Sequence, residues 1–306
     1  VSAGPAAAAT LTRVTDFGAN PTNLGMYVYV PDNVAPRPAL LVLVHYCGGS
    51  AGGIFNGNGR DFATAADRYG YVVVVPEATR EGRCFDVSTR AGLTRNGGSD
   101  STGIMSMVGW TRQRYNVDPA RIVVSGFSSG AMMTNVLAAQ YPDVFTAASA
   151  FSGVPAGCFA TTNGSLWNSQ CSGGNVVKTP QEWGDLARAM YPGYTGSYPR
   201  MQLWHGDQDT TLAYRNFGEE IKQWTNVLRM RRDGIPVLGF TSQATVLHNR
   251  NREDEIKFNA NGFIERPSSL RRGAPIPPAS HSMPSTGSCA PTAPSPTGPH
   301  RCRMRC

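Results

Sequence analysis

No run of apolar residues in this 306-residue chain reaches the ~18 that a membrane-spanning helix requires, which excludes an integral helical membrane protein. Charged residues are scarce, at 16% against 41% hydrophobic, a balance that excludes a disordered chain and points to a globular one. The length suits one large domain or two modest ones, with a core that needs no disulfides for its stability. The opening VSAGPAAAAT lacks a Met, a basic stretch and an apolar stretch, and reads as a mature secreted terminus or a trimmed chain. No internal repeat is present.

Charge of one sign is also missing from most of the chain. Residues 1–228 carry 16 Lys and Arg against 16 Asp and Glu, whereas residues 229–306 carry 12 against 5, which accounts for the whole formal charge of +7. A nucleic-acid reader needs its cations on an ordered face interleaved with aromatics. Scattered Arg and Pro do not supply one, so no nucleic-acid partner is expected.

Seven cysteines in a chain of low charge suggest an oxidising compartment. Cys47, Cys84, Cys158 and Cys171 lie in the neutral part. Cys158 and Cys171 are close in sequence across a Gly/Ser/Asn-rich loop and are candidates for one bridge, leaving Cys47 with Cys84. Four cysteines allow three pairings, spacing does not choose among them, and free buried thiols are the alternative. Asn163-Gly164-Ser165 in the same loop is a glycosylation acceptor if the chain is secreted.

Apolar runs of strand length alternate with helical patterns as far as Leu228. Strands are expected at 25–30, 39–46 (ALLVLVHY), 70–76 (GYVVVVP), 121–125, 147–152 and 201–204, and helices at 62–69, 101–115, 131–140 and 216–228. Continuous apolar strands between helices mean βαβ units and a largely parallel sheet. Beyond Leu228 the pattern stops. Residues 229–306 hold 11 Arg against one Lys, 10 of the 22 Pro and an odd three Cys; only 235–240 and 244–247 look like strands. After Pro284 there is no Leu, Ile, Val, Phe, Tyr or Trp, so no helix can pack there.

Three motifs follow three expected strands. In Gly126-Phe127-Ser128-Ser129-Gly130 a buried strand runs into a Gly/Ser turn and a helix leaves it, the setting of a nucleophile elbow. Ser128 is the candidate nucleophile, and the N–H of Ser129, at the positive end of the new helix, is a candidate oxyanion donor. His45-Tyr46-Cys47-Gly48-Gly49-Ser50 lies where such a site takes its second donor, for which the N–H of Cys47 is the candidate. His45 is expected to position that loop by hydrogen bonding rather than to act as a base. In Trp204-His205-Gly206-Asp207-Gln208-Asp209-Thr210-Thr211 a carboxylate after a late strand suits the acid that orients a catalytic His. Asp209 and Asp207 both qualify by position; the bland alternative for either is a turn cap.

The neutral part closely resembles the fungal secreted carbohydrate esterases of family 1, the acetylxylan esterases and type B feruloyl esterases. The matching stretches are TDFGANPTNLGMYVYVPDN, HYCGGSA, CFDVSTRAGLTRNGGSDS, GFSSGAMMTNVLAAQYPDVF, SGVPAGCF, AMYPGYTG, HGDQDTT and EEIKQWTNVL, within about residues 10–228. The resemblance implies an α/β-hydrolase fold with a mostly parallel sheet, secretion, and a Ser-His-Asp triad that uses no metal or cofactor. It assigns Ser128 as nucleophile and Asp209, rather than Asp207, as the triad acid, and it supports Cys47 in the oxyanion loop.

The likeness ends where the third triad member belongs. The family continues with a strand, a loop of the form G-x-G-H-x-x-P and a closing helix. The nearest match here is Ala279-Ser280-His281-Ser282-Met283-Pro284, which keeps the His and the Pro but has neither glycine and no helix beyond. His281 is therefore the expected base, with His248 in TVLHNRN and then His300 as weaker candidates. The chain divides into an esterase domain at 1–228, which in the family continues to about 285, and an atypical Arg/Pro-rich tail at 229–306. That tail reads as the product of a shifted reading frame near Leu228, or as a divergent disordered linker. Transcript sequencing across the codons for 226–233 separates the two.

The expected activity is removal of acetyl groups from xylan by an acyl-enzyme route, with feruloyl esters of arabinoxylan as the runner-up. The expected protein is a secreted monomer acting on a polysaccharide. Two rivals stand beside it. One is a catalytically dead carbohydrate binder using aromatics such as Trp110, Trp167, Trp183 and Tyr194, each of which also suits core or loop packing. The other is a polyester depolymerase.

Overall fold

The computed structural model describes residues 9–228 together with two strands at 246–248 and 253–257. Its strands are β1 (Thr12–Val14), β2 (Gly25–Tyr29), β3 (Leu40–Val44), β4 (Val72–Glu77), β5 (Ile122–Phe127), β6 (Ala147–Phe151), β7 (Arg200–Gly206), β8 (Val246–His248) and β9 (Glu253–Lys257). The helices are α1 (Ala51–Asn56), α2 (Arg60–Tyr69), α3 (Asp100–Tyr115), α4 (Ser129–Gln140), α5 (Ser169–Ser172), α6 (Pro180–Ala189) and α7 (Arg215–Val227). Among the described residues the strands form one sheet in the order β1-β2-β4-β3-β5-β6-β7-β9-β8. The run from β4 to β7 is parallel, and both ends are finished by antiparallel strands. This is the α/β-hydrolase architecture that the alternation of elements and the resemblance led us to expect.

The apolar strands form because helices cover both faces of the sheet. All five residues of β3 are buried, and burying each such Leu or Val contributes about 1.5–3 kcal/mol. One face packs Leu41, Leu43, Val73 and Val75 against Ile54, Phe55 and Ala66 of α1 and α2. The other packs Val42, Val44, Val74, Ile122 and Val124 against residues of α3, α4, α6 and α7. Helix α4 has no polar side because it has no exposed side; every one of its twelve residues is buried. Its polar groups find partners inside: Thr134 Oγ1 donates to the Gly130 carbonyl at 2.8 Å, and Gln140 Nε2 to the Gly92 carbonyl at 2.7 Å.

Chain order places the site. From β3 the chain crosses to β4 on one edge and returns to β5 on the other, so the loops leaving β3 and β5 diverge. Crevices of this kind at the carboxyl ends of parallel strands are where α/β folds hold ligands. Strands β8 and β9 lie beyond Leu228, where the composition changes, yet β9 pairs with β7 from Gln202↔Lys257 to Gly206↔Glu253. The strand expected at 244–247 is found as Val246–His248. The one expected at 235–240, together with His281 and His300, lies outside the described residues.

Candidate active site

The turn between β5 and α4 is forced into shape by two glycines. Ser128 sits there at φ +52° and ψ −116°, a conformation that costs a non-glycine residue about 1–3 kcal/mol. Its own backbone helps to hold it: the Ser128 N–H donates to the Phe151 carbonyl and its carbonyl accepts from the Met132 N–H, both at 2.9 Å. A Cβ on Gly126 would stand 2.3 Å from the Gly130 carbonyl oxygen, and one on Gly130 would stand 2.1 Å from that of Val44. The spacing G-x-S-x-G is thus a packing requirement. Ser129 is fully buried, with its Oγ accepting from the Phe85 N–H at 2.8 Å. Its own N–H opens α4, where the first helical amides have no carbonyl within the helix to bond.

Phe85 is held in turn by a closed loop. Asp86 accepts from the N–H groups of Ser88 and Thr89 and from the hydroxyls of Thr89 and Ser99. Asp100 accepts from the Asp86 N–H and pairs with Arg80. The stretch CFDVSTRAGLTRNGGSDS therefore braces the elbow.

The loop after β3 is fixed from behind by His45. Its Nε2 accepts from the Ala78 N–H at 3.0 Å, so in the neutral ring the proton resides on Nδ1, 2.6 Å from the Tyr46 carbonyl. Burial holds its pKa below the usual 6.5 and keeps the ring neutral, as both bonds require. The ring is a strut, as expected. Cys47 is bonded to Cys84, the Gly48 N–H donates to the Gly82 carbonyl at 2.9 Å, and Ser50 Oγ caps α1 by accepting from Gly53. The second disulfide joins Cys158 to Cys171, so both candidate pairings are present.

Asp209 lies in the turn after β7. Its Oδ1 accepts from the N–H groups of Thr211 and Leu212, each at 2.9 Å, and its Oδ2 lies 3.5 Å from His205 Nε2. One oxygen thus caps the turn while the other is available to a further partner. Asp207 is exposed and does not line the cleft, whereas Asp209 does.

Ser128, Cys47 and Asp209 meet on a cleft of about 600 Å³ that Tyr46, Phe127, Phe151 and Trp204 also line. Phe127, Phe151 and Trp204, at matching register positions on β5, β6 and β7, stack in a row: the centroids of Phe127 and Phe151 are 4.6 Å apart, and those of Phe151 and Trp204 5.6 Å apart. Single-sequence reading had singled out other aromatics. Trp183 is fully buried and donates to Glu219 Oε2 at 2.7 Å, which removes it as a sugar platform. Trp110 packs edge-on to Tyr115, Tyr194 lies between Tyr191 and Tyr198, and exposed Trp167 rests on Phe159. None of these lines the cleft. Asn163 is exposed, with its Oδ1 accepting from the Ser165 N–H.

Behind Asp209 the structure reveals groups that the motifs did not announce. His205 is buried, with its Nε2 at 2.8 Å from the Leu212 carbonyl and its Nδ1 turned inward, 4.0 Å from Oε2 of a fully buried Glu220. Its Nε2 is engaged by that carbonyl, and its Nδ1 is buried against Glu220. Glu220 was legible in principle, since it shares the 3-4-3 spacing of Phe217, Trp224 and Val227 on the apolar face of α7. Of the five histidines, His45 and His205 are thus occupied, and His248 ends β8.

A family model described as Esterase PHB depolymerase matches residues 24–225. A probable acetylxylan esterase A from Aspergillus fumigatus is 50% identical over 220 residues, covering 71% of this chain and 59% of the relative. The chain therefore spans less than two thirds of that protein's length. Feruloyl esterase B from Talaromyces stipitatus is 47% identical over 241 residues, 76% of this chain and 67% of the relative. Among solved structures, an acetyl xylan esterase from Aspergillus awamori superposes with a TM-score of 0.71 at 48% identity, over 72% of this chain and 81% of that one.

Proposed function

The chain belongs to the Esterase PHB depolymerase family, and from that premise we propose that it is a secreted serine carboxylesterase that removes acetyl groups from xylan. The observation that carries this reading is the strained Ser128 at φ +52°, set on one cleft with the Cys47 loop and Asp209. In the proposed reaction Ser128 Oγ attacks the ester carbonyl carbon as His281 takes its proton. Asp209 Oδ2 holds that imidazole in the required tautomer and offsets its positive charge. The N–H groups of Cys47 and Ser129 bind the oxyanion, each contributing about 3 kcal/mol to lowering the barrier. The base returns its proton to the departing sugar oxygen, and water then attacks the acetyl-Ser128 ester by the same steps in reverse order.

The assignment of the base to His281 rests on the resemblance, and the surroundings of His45 and His205 suit neither to that role. Both ring nitrogens of His45 are engaged, the Nε2 of His205 is held by the Leu212 carbonyl, and its buried Nδ1 faces Glu220. Two disulfides and an exposed Asn-Gly-Ser acceptor support an extracellular setting. No described helix is long and apolar enough to cross a membrane. A monomer working on a polysaccharide is the proposed state.

Feruloyl ester hydrolysis is the second reading, supported by the stacked wall of Phe127, Phe151 and Trp204 beside Ser128 and by the likeness to feruloyl esterase B. An aromatic acyl group needs an apolar slot of that sort, while acetate needs almost none. The test is acetate release from acetylated xylan, with methyl ferulate as second substrate and Ser128→Ala as control. Acetate release that disappears in the variant supports the proposal. Preference for methyl ferulate selects the second reading. A folded protein that labels with no fluorophosphonate yet is retained by xylan overturns both in favour of a binder.

A further inference from the structure

Two buried polar atoms face each other without a partner: His205 Nδ1 and Glu220 Oε2, 4.0 Å apart, on side chains with no exposed surface. The Leu212 carbonyl can only accept, so the hydrogen bond from His205 Nε2 at 2.8 Å puts the ring proton on Nε2 and leaves a lone pair on Nδ1. Facing that lone pair, Glu220 is useful only as a protonated acid. Its setting keeps it so: Oε1 accepts from Asn135 Nδ2 at 2.5 Å, no cation among the described residues pairs with it, and a Cβ on Gly153 would approach Oε1 to 2.7 Å. Burial raises its pKa to about 8.

We propose that Glu220 and His205 are a positioning pair for the triad acid, in which the protonated Glu220 carboxyl, facing the His205 Nδ1 lone pair across 4.0 Å, favours the tautomer that locks the Asp209 turn. The inference rests on the proposed role of Asp209. Leu212 is the shared element, because His205 holds its carbonyl while Asp209 Oδ1 holds its N–H. Moving the His205 proton to Nδ1 would set the Nε2 lone pair against the Leu212 carbonyl and against Asp209 Oδ2, and the turn would open. The pair also ties the acid to the nucleophile. Asn135 belongs to α4, the helix that starts beside Ser128, and its Oδ1 accepts from Trp224 Nε1 at 2.9 Å.

Among the described residues the charged groups around the pair are few. Asp209 acts on His205 from the turn, and Asp254 stands opposite His205 in the β9 register. On α7 Glu219 is paired with Lys222, while α4 and the segment after β6 contribute the neutral Asn135 and Gly153.

The experiment follows the tautomer of His205 by ¹⁵N NMR of imidazole-labelled full-length chain from pH 6 to 10, beside kcat profiles on p-nitrophenyl acetate. In the wild type His205 is Nε2–H at neutral pH and changes to Nδ1–H as Glu220 ionises, and kcat falls over the same interval with little change in KM. Glu220→Gln keeps a donor facing Nδ1 but cannot ionise, so both the tautomer and kcat hold through the alkaline range. Glu220→Leu gives mixed tautomers and a kcat lower by about ten- to a hundredfold, the scale of a misplaced catalytic group. A wild-type tautomer constant to pH 10, or Glu220→Gln titrating like the wild type, overturns the proposal. If Glu220→Leu fails to fold, the wild type and Glu220→Gln still decide. Absence of ester turnover in the wild type would sink the esterase reading alone, because the NMR signal is independent of catalysis.

Discussion

Gly130, in the first turn of the helix behind Ser128, approaches Val44 so closely that a Cβ would stand 2.1 Å from the Val44 carbonyl oxygen. The contact joins the elbow to the end of β3, from which the proposed oxyanion loop departs. Ser128 and Cys47 are therefore positioned by one backbone-to-backbone packing.

Gly130→Ala must push β3 and α4 apart, and the obstructing atoms are backbone. Overpacking of this kind costs about 3 kcal/mol. Calorimetry should show a lowered Tm and fluorophosphonate labelling of Ser128 should collapse. Wild-type labelling in a stable Gly130→Ala protein would show that the contact does not shape the site.

Asp209→Asn keeps an oxygen acceptor for the Thr211 and Leu212 amides, so the turn and the Tm should persist. The charge that steadies an imidazolium is lost, and kcat should fall by roughly 10⁴. Asp207→Asn should leave kcat within a factor of two, on the order of 0.5 kcal/mol or less for an exposed polar change. Equal effects of the two substitutions would reject Asp209 as the acid.

The Cys47–Cys84 bridge closes a separation of 37 residues and Cys158–Cys171 one of 13. Chain-entropy reasoning gives about 4 and about 3 kcal/mol respectively. Only the first borders the oxyanion loop. Paired Cys→Ala variants should therefore both lower the denaturant midpoint, while kcat falls for the 47/84 pair and holds for the 158/171 pair.

Burial lowers the pKa values of His45 and His205 below 6.5, so the unfolded chain takes up protons first as the pH falls. Their contribution to stability is complete above about 6.5 and is lost on acidification below it. Glu220 acts in the opposite sense. Its folded pKa of about 8 exceeds the ordinary carboxyl value of 4.5, so the stabilisation from keeping its proton fades as the pH rises from 4.5 to about 8. The Tm difference between wild type and Glu220→Gln should therefore shift against the wild type across that interval. A difference independent of pH would refute this.

The sequence by itself determined the layered fold. The five-residue apolar run of β3 and the valines of β4 have no stable place except between helix layers, and the G-x-S-x-G turn follows β5 wherever β5 lies. It also marked Cys47 and Asp209, because strand-end loops carry their chemistry in local motifs. It passed over α1, whose glycine-rich AGGIFN forms a helix only where Ser50 caps it and Glu77 Oε2 accepts from the Ala51 N–H at 2.7 Å. It also passed over β9, whose charged EDEIK pairs with β7 in spite of its composition. Only the tertiary structure decided that Phe127, Phe151 and Trp204 stack into one wall. The same holds for His205, which turns inward to meet Glu220. These relationships depend on the register of neighbouring strands and on residues distant in the chain, and periodicity along one segment carries no record of either.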